Sequence, residues 1–523
     1  MLKGIPHFFR LARAGFVLAR MGVLSLIDPA FLPVSIRFIL RLVRLVEKRG
    51  LGKGETSRAG IRLAGAMTRL GPTYIKFGQF LATRPDIIGL KVAQDLGQLQ
   101  DHVPPFSDEE ARAILTEHLN GSVDDHFISL TKPVAAASIA QVHKGVLKDG
   151  RIVAVKILRP NVRQRFNRDL AAMRYVAEQL EKYSEEARRL RFVGVVQTLE
   201  RSMALEMDLR LEAAALSELK ENSRSDVHFR VPEPYWDYTS RDILVSEWID
   251  ALPIHDLRGI DAAGHDRTRL GRVVIQSFLN HAIRDGFFHA DMHQGNLMVD
   301  TQGRIVAVDG GIMGRLGVKE RRFLAEILLG FITRNYKRIA QVHFEAGYVP
   351  ANQSIDDFAQ ALRAVGEPIH GRSADQISMA SLLTLLFEIT GLFEMRTRTE
   401  LVMLQKTMVV VEGVARTLDP SLDMWRTSEP IVRAWITSNL GPKGRLRDAG
   451  TGITSLMQAA SRLPDALNRF ADQTRVETIE TNESIIPHQR IVIAAPSPML
   501  MRLNTLALWI IVGLLGTFVW QLF

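Results

Sequence analysis

Hydrophobic residues recur along the chain with two different periods. Apolar positions three and four residues apart dominate Val193–Lys220 and most of residues 319–440, and this spacing is typical of amphipathic helices. Arg151–Leu158 and Ile243–Ile249 are short runs rich in valine and isoleucine, which predict strands. The strand-rich pattern occupies residues 130–312, with helical patterns around and after it. The chain is therefore predicted to be an α+β protein.

The first 50 residues alternate arginine with apolar residues. Arg37, Arg41, Arg44 and Lys48 recur at helical spacing and share one stripe. A basic amphipathic helix of this kind is suited to lie on an anionic membrane surface. A docking helix with solvated arginines fits the same pattern, and both interpretations stay open.

Residues 503–523 form an uncharged stretch of 21 residues, LNTLALWIIVGLLGTFVWQLF. At about 1.5 Å per residue, a helix of this length just spans a hydrocarbon core of about 30 Å. Trp509 and Trp520 stand where interfacial aromatic residues are found, and Arg502 flanks the stretch. We expect a C-terminal transmembrane helix that acts as a single-pass anchor for a cytoplasmic body. A buried core helix is the alternative.

Composition excludes several classes of protein. The chain has 523 residues and no cysteine, which rules out a disulfide scaffold, a thiolate nucleophile, cysteine-bound zinc and iron–sulfur clusters. The formal net charge is +9, but the first 50 residues hold nine basic and only two acidic residues. A nucleic-acid-binding protein would normally spread such charge over a folded face with aromatic residues nearby. No nucleic acid is therefore predicted as a partner.

Three separate motifs follow one another in an order and spacing like those of protein kinases. Lys156 ends the strand motif VAVK, HADMHQGN runs from His289 to Asn296, and Asp309 follows 13 residues later. A strand lysine can hold the α- and β-phosphates, while Asn296 and Asp309 supply the oxygen ligands that Mg²⁺ prefers. Asp291 can accept a proton from an attacking hydroxyl or water. We predict a two-lobed protein-kinase-like fold, with a small β-rich N-lobe and a helical C-lobe, that binds ATP (or ADP) and Mg²⁺.

The segment before Lys156 lacks the glycines that let backbone N–H groups approach phosphates. Either the nucleotide binds there in an altered geometry, or the segment is a plain turn between strands. The candidate ATP-binding residues of this alanine-rich loop are Pro133, Val134, Ala135, Ala136, Ala137, Ser138, Ile139, Ala140 and Gln141.

Lys156 also needs an acidic partner from a helix, and three carboxylates lie in one helical segment. Asp208 and Glu212 are four residues apart and would share a face, while Glu206 would lie round the helix from Glu212. Periodicity alone does not decide which of them pairs with Lys156. No Ala-Pro-Glu anchor follows Asp309 within 30 residues, so phosphorylation of peptides is disfavoured.

The alanine-rich loop, HADMHQGN and the upstream segment LGPTYIKFGQFLATRPD at residues 70–86 together resemble the UbiB family of atypical kinases (ADCK/aarF type). The resemblance runs from about residue 60 to 320. It implies a kinase-like fold in which a Lys-x-Gly-Gln segment folds over the active site and occludes peptides. The occluding residues would be Lys76, Gly78 and Gln79, faced by Glu206 and Asp208, and Glu212 would then be the ATP-site partner of Lys156.

The resemblance also implies a function. It points to an unorthodox ATPase, or a kinase acting on a small molecule or a lipid, that supports ubiquinone biosynthesis at a bacterial inner membrane. Its partners would be a membrane lipid or a polyprenyl-phenol or quinone precursor, and other ubiquinone-biosynthesis proteins. A nucleotide-binding scaffold without turnover and a small-molecule phosphotransferase are the alternatives. Gly310 departs from the pattern, because an aromatic residue is usual between Asp309 and Gly311.

The chain is predicted to divide into six segments. They are a basic amphipathic region (1–55), a helical extension over the active site (56–130), an N-lobe with a helical insertion (131–255), a helical C-lobe (256–465), a linker (466–500) and the anchor (503–523). The two lobes would together form the kinase-like unit.

Overall fold

The computed structural model describes part of the 523-residue chain. The described residues are 5–23, 59–82, 88, 90–97, 99, 103–183, 185, 188, 191–369, 389, 391–395 and 399–441. Contacts divide the chain into two units, Arg13–Ile436 and the combination of Met1–Ala12 with Thr437–Phe523. The strands and the candidate site belong to Arg13–Ile436.

The described residues among the first hundred form α1 (Ile5–Arg20), α2 (Ala59–Leu70), α3 (Pro72–Ala82) and α4 (Leu90–Leu96). Gly71 joins α2 to α3 with a φ of +104°, a conformation that favours glycine, and Pro72 then begins α3 with its fixed backbone angle. Helices α2, α3 and α4 pack around Met67, Leu81 and Leu96.

The N-lobe contains the helices α5 (Asp108–His118) and α6 (Val123–His126) and the strands β1 (Phe127–Ala136), β2 (Ala140–Leu147), β3 (Ile152–Leu158) and, after an insertion, β5 (Ile243–Glu247). The four strands form an antiparallel sheet in the order β1-β2-β3-β5. Leu115 of α5 packs in one cluster with Val153, Val155 and Val245 of the sheet. The stretch from Asp108 therefore belongs structurally with the sheet, although it falls within the helical extension predicted at 56–130.

The insertion between β3 and β5 contains α7 (Val162–Tyr183), α8 (Phe192–Glu206) and α9 (Leu209–Asn222). The helical pattern over Val193–Lys220 thus corresponds to two helices, and the expectation that Asp208 shares a helical face with Glu212 is wrong. Asp208 caps α9, where its carboxylate accepts the Arg210 backbone N–H at 3.2 Å. The apolar period continues across the break because Met203 of α8 and Leu216 of α9 both enter the same core.

The C-lobe is mostly helical, with two small sheets in the orders β4-β9-β8-β6 and β10-β7. Asp226, in the segment that follows α9, accepts hydrogen bonds from Arg284 Nη1 at 2.6 Å and His281 Nε2 at 3.2 Å, which ties that segment to the π-helical turn Asn280–Asp285. Its strands are β4 (Phe229–Arg230), β6 (Ala251–Pro253), β7 (Phe287–His289), β8 (Leu297–Asp300), β9 (Ile305–Ala307) and β10 (Met313–Arg315). Its helices are α10 (Leu257–Ala262), α11 (Arg267–Leu279), α12 (Val318–Ile332), α13 (Tyr336–Glu345), α14 (Ile355–Gly366), α15 (Thr399–Leu418) and α16 (Met424–Asn439).

The predicted order of a β-rich lobe and then a helical lobe is confirmed. Among the residues described, no helix is long and apolar enough to cross a bilayer. The predicted anchor at 503–523, the linker at 466–500 and the arginine stripe from Arg37 to Lys48 lie outside the described residues.

Candidate functional site

Three charged side chains from distant parts of the chain meet beside the N-lobe sheet. Lys156 lies on β3, held between Val142 of β2 and Leu244 of β5. Its Nζ is 2.6 Å from Glu212 Oε1 on α9 and 3.2 Å from Asp309 Oδ2 after β9. The structure thus pairs Lys156 with the carboxylate that the family resemblance implied, and also with Asp309.

Burial and charge act against each other in this cluster. Burial raises the pKa of Glu212, which is only 7% exposed, to about 7, although the Lys156 ammonium opposes that rise. Burial would also raise the pKa of Asp309, but Lys156 and the Gly311 N–H outweigh it and hold that pKa well below the usual range. Burial would lower the pKa of Lys156, yet the two carboxylates raise it. Lys156 therefore stays protonated, with two carboxylates competing for it.

Asp291 lies in the loop between β7 and β8, and hydrogen bonds from residues at the two ends of that loop hold its backbone. His289 Nδ1 accepts the Asp291 backbone N–H at 3.0 Å, and burial lowers the pKa of His289, so its imidazole is neutral. Asn296 Nδ2 donates to the Asp291 carbonyl at 3.0 Å, which uses the amide nitrogen and leaves the oxygen side for a cation. His293 Nε2 lies 3.6 Å from Asp291 Oδ2, which is too long for a hydrogen bond.

Asn296 and Asp309 lie at the same end of a strand pair. Asn296 precedes β8 and Asp309 closely follows β9, and these strands are antiparallel with Leu297 opposite Ala307. The Val308 N–H donates to the Asn296 carbonyl at 3.0 Å, which extends the pairing to the site. One amide oxygen and one carboxylate form a donor set of hard oxygens, which fits Mg²⁺ when phosphate oxygens and water complete the coordination.

Backbone hydrogen bonds and the Arg159 side chain fix the conformation of the alanine-rich loop. Strand β1 runs on to Ala136, and the Ala137 N–H donates to the Ala140 carbonyl at 2.8 Å to close the turn into β2. Arg159, which follows β3, donates from Nε to the Ala137 carbonyl at 2.8 Å and from Nη2 to the Pro104 carbonyl at 2.9 Å. Arg159 is absent from the predicted site residues, because a basic residue directly after a strand is the only signal that the sequence offers for it.

The residues of this loop divide into an inner and an outer group. Gln141 is fully buried, and its Oε1 accepts the Phe106 N–H at 2.9 Å, so this side chain is engaged within the protein and does not join the Lys156 cluster. Ser138 is also fully buried, and its hydroxyl has no hydrogen-bond partner among the described residues. Val134 is 54% exposed, on the outer side of the loop.

The Lys-x-Gly-Gln segment lies in α3, and Lys76 forms an ion pair with Glu206 at the end of α8. A second link joins α3 to α7, because Thr73 Oγ1 donates to Asp169 Oδ2 at 2.7 Å in the interior. Asp208 does not share this role, since it caps α9 and bonds Arg210.

The other two residues of the segment serve its packing. A Cβ at Gly78 would lie 2.4 Å from both Leu99 Cδ1 and Met67 Sδ, so any larger residue would require these two side chains to shift. Gln79 Nε2 donates to the Leu99 carbonyl at 3.4 Å. Lys76 and Glu206 are thus brought together, while Gly78 and Gln79 fix α3 against its neighbours.

A β3 lysine paired with a helix glutamate, a His-x-Asp loop and a strand-end aspartate define a protein of the kinase-like class. Residues 98–343 match the ABC1 atypical kinase-like domain, and residues 362–423 match the UbiB helical domain. The chain belongs to the UbiB family.

Two curated relatives carry the name "Probable protein kinase UbiB". The one from Marinobacter nauticus is 36% identical over 473 residues, covering 89% of this chain and 85% of the relative. The one from Azotobacter vinelandii is 38% identical over 466 residues, covering 88% and 86%. A solved structure of the Rv3197–erythromycin complex from Mycobacterium tuberculosis gives a TM-score of 0.49 at 24% identity, covering 74% of this chain and 97% of that one.

Proposed function

We propose that the chain is an atypical kinase or ATPase that uses Mg²⁺ and ATP and supports ubiquinone biosynthesis. The observation that carries the proposal is the contact of Lys156 Nζ with both Glu212 and Asp309. A charged cluster that joins a strand, a helix and a loop from three parts of the chain serves a polyphosphate and its cation better than it serves stability. Buried ion pairs contribute little stability relative to apolar packing.

Each side chain then has a role. Lys156 contacts the α- and β-phosphates, and Glu212 keeps it directed into the cleft. Asn296 and Asp309 would hold the Mg²⁺, which would neutralise charge at the phosphates when bound. Asp291 orients the attacking hydroxyl or water and accepts its proton, and neutral His289 holds the backbone of that residue. The outer part of the alanine-rich loop, Pro133 to Ala137, covers the phosphates.

The acceptor in this proposal is a lipid or a polyprenyl-phenol rather than a peptide. Helix α3 is tied to the insertion by the Lys76–Glu206 and Thr73–Asp169 contacts, and it would limit the approach of an extended chain. We also propose that the protein works at the bacterial inner membrane, since Arg13, Phe16 and Arg20 of α1 are exposed at helical spacing. The anchor at 503–523 stays a prediction.

The test is ATP hydrolysis by the purified full chain, with and without Mg²⁺ and with vesicles that contain a polyprenyl-phenol. Asp309→Asn should lower the rate by about 100-fold or more, because it removes a charge at the cation. Asp237→Asn, the same change at an exposed position, is the matched control. Equal rates for the two variants would contradict the proposal.

A nucleotide-binding scaffold without turnover is the second candidate, and the alanine-rich loop favours it. Because Gln141 is engaged within the protein, fewer groups remain to align a phosphate for transfer. Asp291→Asn separates the two candidates: a scaffold would still restore growth to a quinone-deficient strain, and an enzyme would not.

A further inference from the structure

Helix α15 contacts the loop that carries Asp291 on both sides of that residue. Thr407 Oγ1 donates to the Ala290 carbonyl at 2.9 Å, and Gln294 Nε2 donates to Thr417 Oγ1 at 3.0 Å. The partners are 117 and 123 residues apart in the sequence. These contacts lie between the region matching the kinase-like domain and the region matching the UbiB helical domain.

The Thr407 contact acts on one particular peptide unit. The Ala290 carbonyl and the Asp291 N–H belong to the same planar group. Thr407 holds the carbonyl end, and His289 Nδ1 holds the N–H end at 3.0 Å. With both polar ends fixed, the plane cannot rotate, and the direction in which the Asp291 side chain leaves the backbone is set.

Thr407 is placed to keep this bond. Its side chain is fully buried, and Leu404, Val411 and Ala415 of the same helix enter the main core together with Ala290. Water does not compete with the hydroxyl at such a position, so losing it would leave the Ala290 carbonyl unsatisfied. The same hydroxyl also donates to the Met403 carbonyl one turn earlier, at 2.8 Å, so its single hydrogen is shared between the two carbonyls. The bond within the helix is one that any helical threonine can make, whereas the bond to Ala290 depends on how α15 packs.

We propose that α15 aligns the Asp291 loop and that Thr407 is a positioning residue for Asp291, with Thr417 as a second, weaker support. The proposal deepens the ATP-dependent activity proposed above and rests on it for its kinetic readout. In this proposal the helical domain affects catalysis by fixing the backbone of the Asp291 loop, and it does not itself contact the nucleotide.

The kinetic test compares Thr407→Val, which keeps the shape but removes the hydroxyl, with Thr407→Ser, which keeps the hydroxyl. In steady-state ATP hydrolysis by the full chain, Thr407→Val should lower kcat roughly tenfold, as expected for one lost hydrogen bond, and leave KM for ATP within about twofold. Thr407→Ser should restore kcat. Thr198→Val is the matched control, because within the described part of the chain Thr198 donates to the Gly194 carbonyl of its own helix, at 2.8 Å, and to no other group.

Hydrogen exchange at the Asp291 amide supplies a readout that needs no turnover. Thr407→Val should speed that exchange, and Thr407→Ser and Thr198→Val should not. Unchanged exchange in Thr407→Val, or a kcat equal to that of the unmodified chain, would overturn the proposal. If the unmodified chain hydrolyses no ATP, the proposed function fails, and the exchange result still decides the role of Thr407.

Discussion

Gly310 lies against helix α9, and Gly310→Ala is predicted to push the two apart. A Cβ at this position would lie 3.0 Å from Leu216 Cγ, 3.1 Å from Leu216 Cδ2 and 3.2 Å from the carbonyl oxygen of Glu212. Ordinary contacts between carbon atoms are about 3.5–4.0 Å. The added methyl group therefore requires its neighbours to shift by a few tenths of an ångström.

Neither neighbour can move aside without a cost. Leu216 is 1% exposed within the main core, and the Glu212 oxygen is part of the α9 backbone. Overpacking a core costs about 1–3 kcal/mol, while replacing glycine by alanine recovers about 0.4–1 kcal/mol through the unfolded state. We expect a net loss of about 1–2 kcal/mol in the free energy of unfolding. Because α9 also carries the Glu212 side chain, its 2.6 Å contact with Lys156 should lengthen and ATP hydrolysis should slow.

Urea unfolding and ATP hydrolysis by the purified full chain measure the two effects. Gly194→Ala is the matched control, since a Cβ there would meet only the Arg191 Cβ at an ordinary 3.7 Å, inside helix α8. That change should raise the free energy of unfolding by up to about 1 kcal/mol. Equal free energies of unfolding for Gly310→Ala and Gly194→Ala would contradict the predicted clash with α9.

Three further predictions concern other contacts. Lys76→Met should lower the free energy of unfolding, measured in urea, by about 3 kcal/mol, because it leaves the Glu206 charge partly buried without its lysine partner. Adding Glu206→Leu should recover most of that loss. A Lys76→Met variant as stable as the original chain would contradict this prediction. Arg159→Lys cannot reach both the Ala137 and the Pro104 carbonyl, so KM for ATP should rise severalfold while kcat holds. An unchanged KM would contradict a role for Arg159 in holding the alanine-rich loop. Burial would raise the pKa of Asp226, but hydrogen bonds from a histidine and Arg284 lower it to about 2. Since the pKa of Asp226 is depressed in the folded state, its ionised form stabilises the fold by about 2 kcal/mol above about pH 4, and this contribution is lost as the pH falls toward 2. Asp226→Asn should abolish that part of the acid dependence of urea unfolding.

The β-rich and helical lobes follow from the sequence because period and residue type are local signals. Lys156 and Asp309 could be assigned to one site because their spacing follows a known order of motifs, each at or beside a strand. The antiparallel pairing of β8 with β9 then places Asn296 and Asp309 at the same end of the strand pair.

The remaining features depend on contacts that no local pattern encodes. The turn between α8 and α9 keeps the apolar period, so Asp208 could be read as a helix residue when it is in fact a cap. Thr407 has the sequence surroundings of any buried helical threonine, and its hydroxyl gains a role only when α15 meets a loop 117 residues away. Arg159 likewise gains its acceptors from two distant segments, the turn between β1 and β2 and the stretch before α5.

The cluster around Lys156 also has a consequence for the order of folding. Strands β1, β2 and β3 are consecutive hairpin neighbours, so they can associate early at a small loop-closure cost. The contact between Lys156 and Asp309 spans 153 residues and needs both lobes in place, so it closes late. A nascent or half-folded chain thus lacks the assembled cluster. Binding of a triphosphate at this cluster would therefore indicate that both lobes have been synthesised and folded.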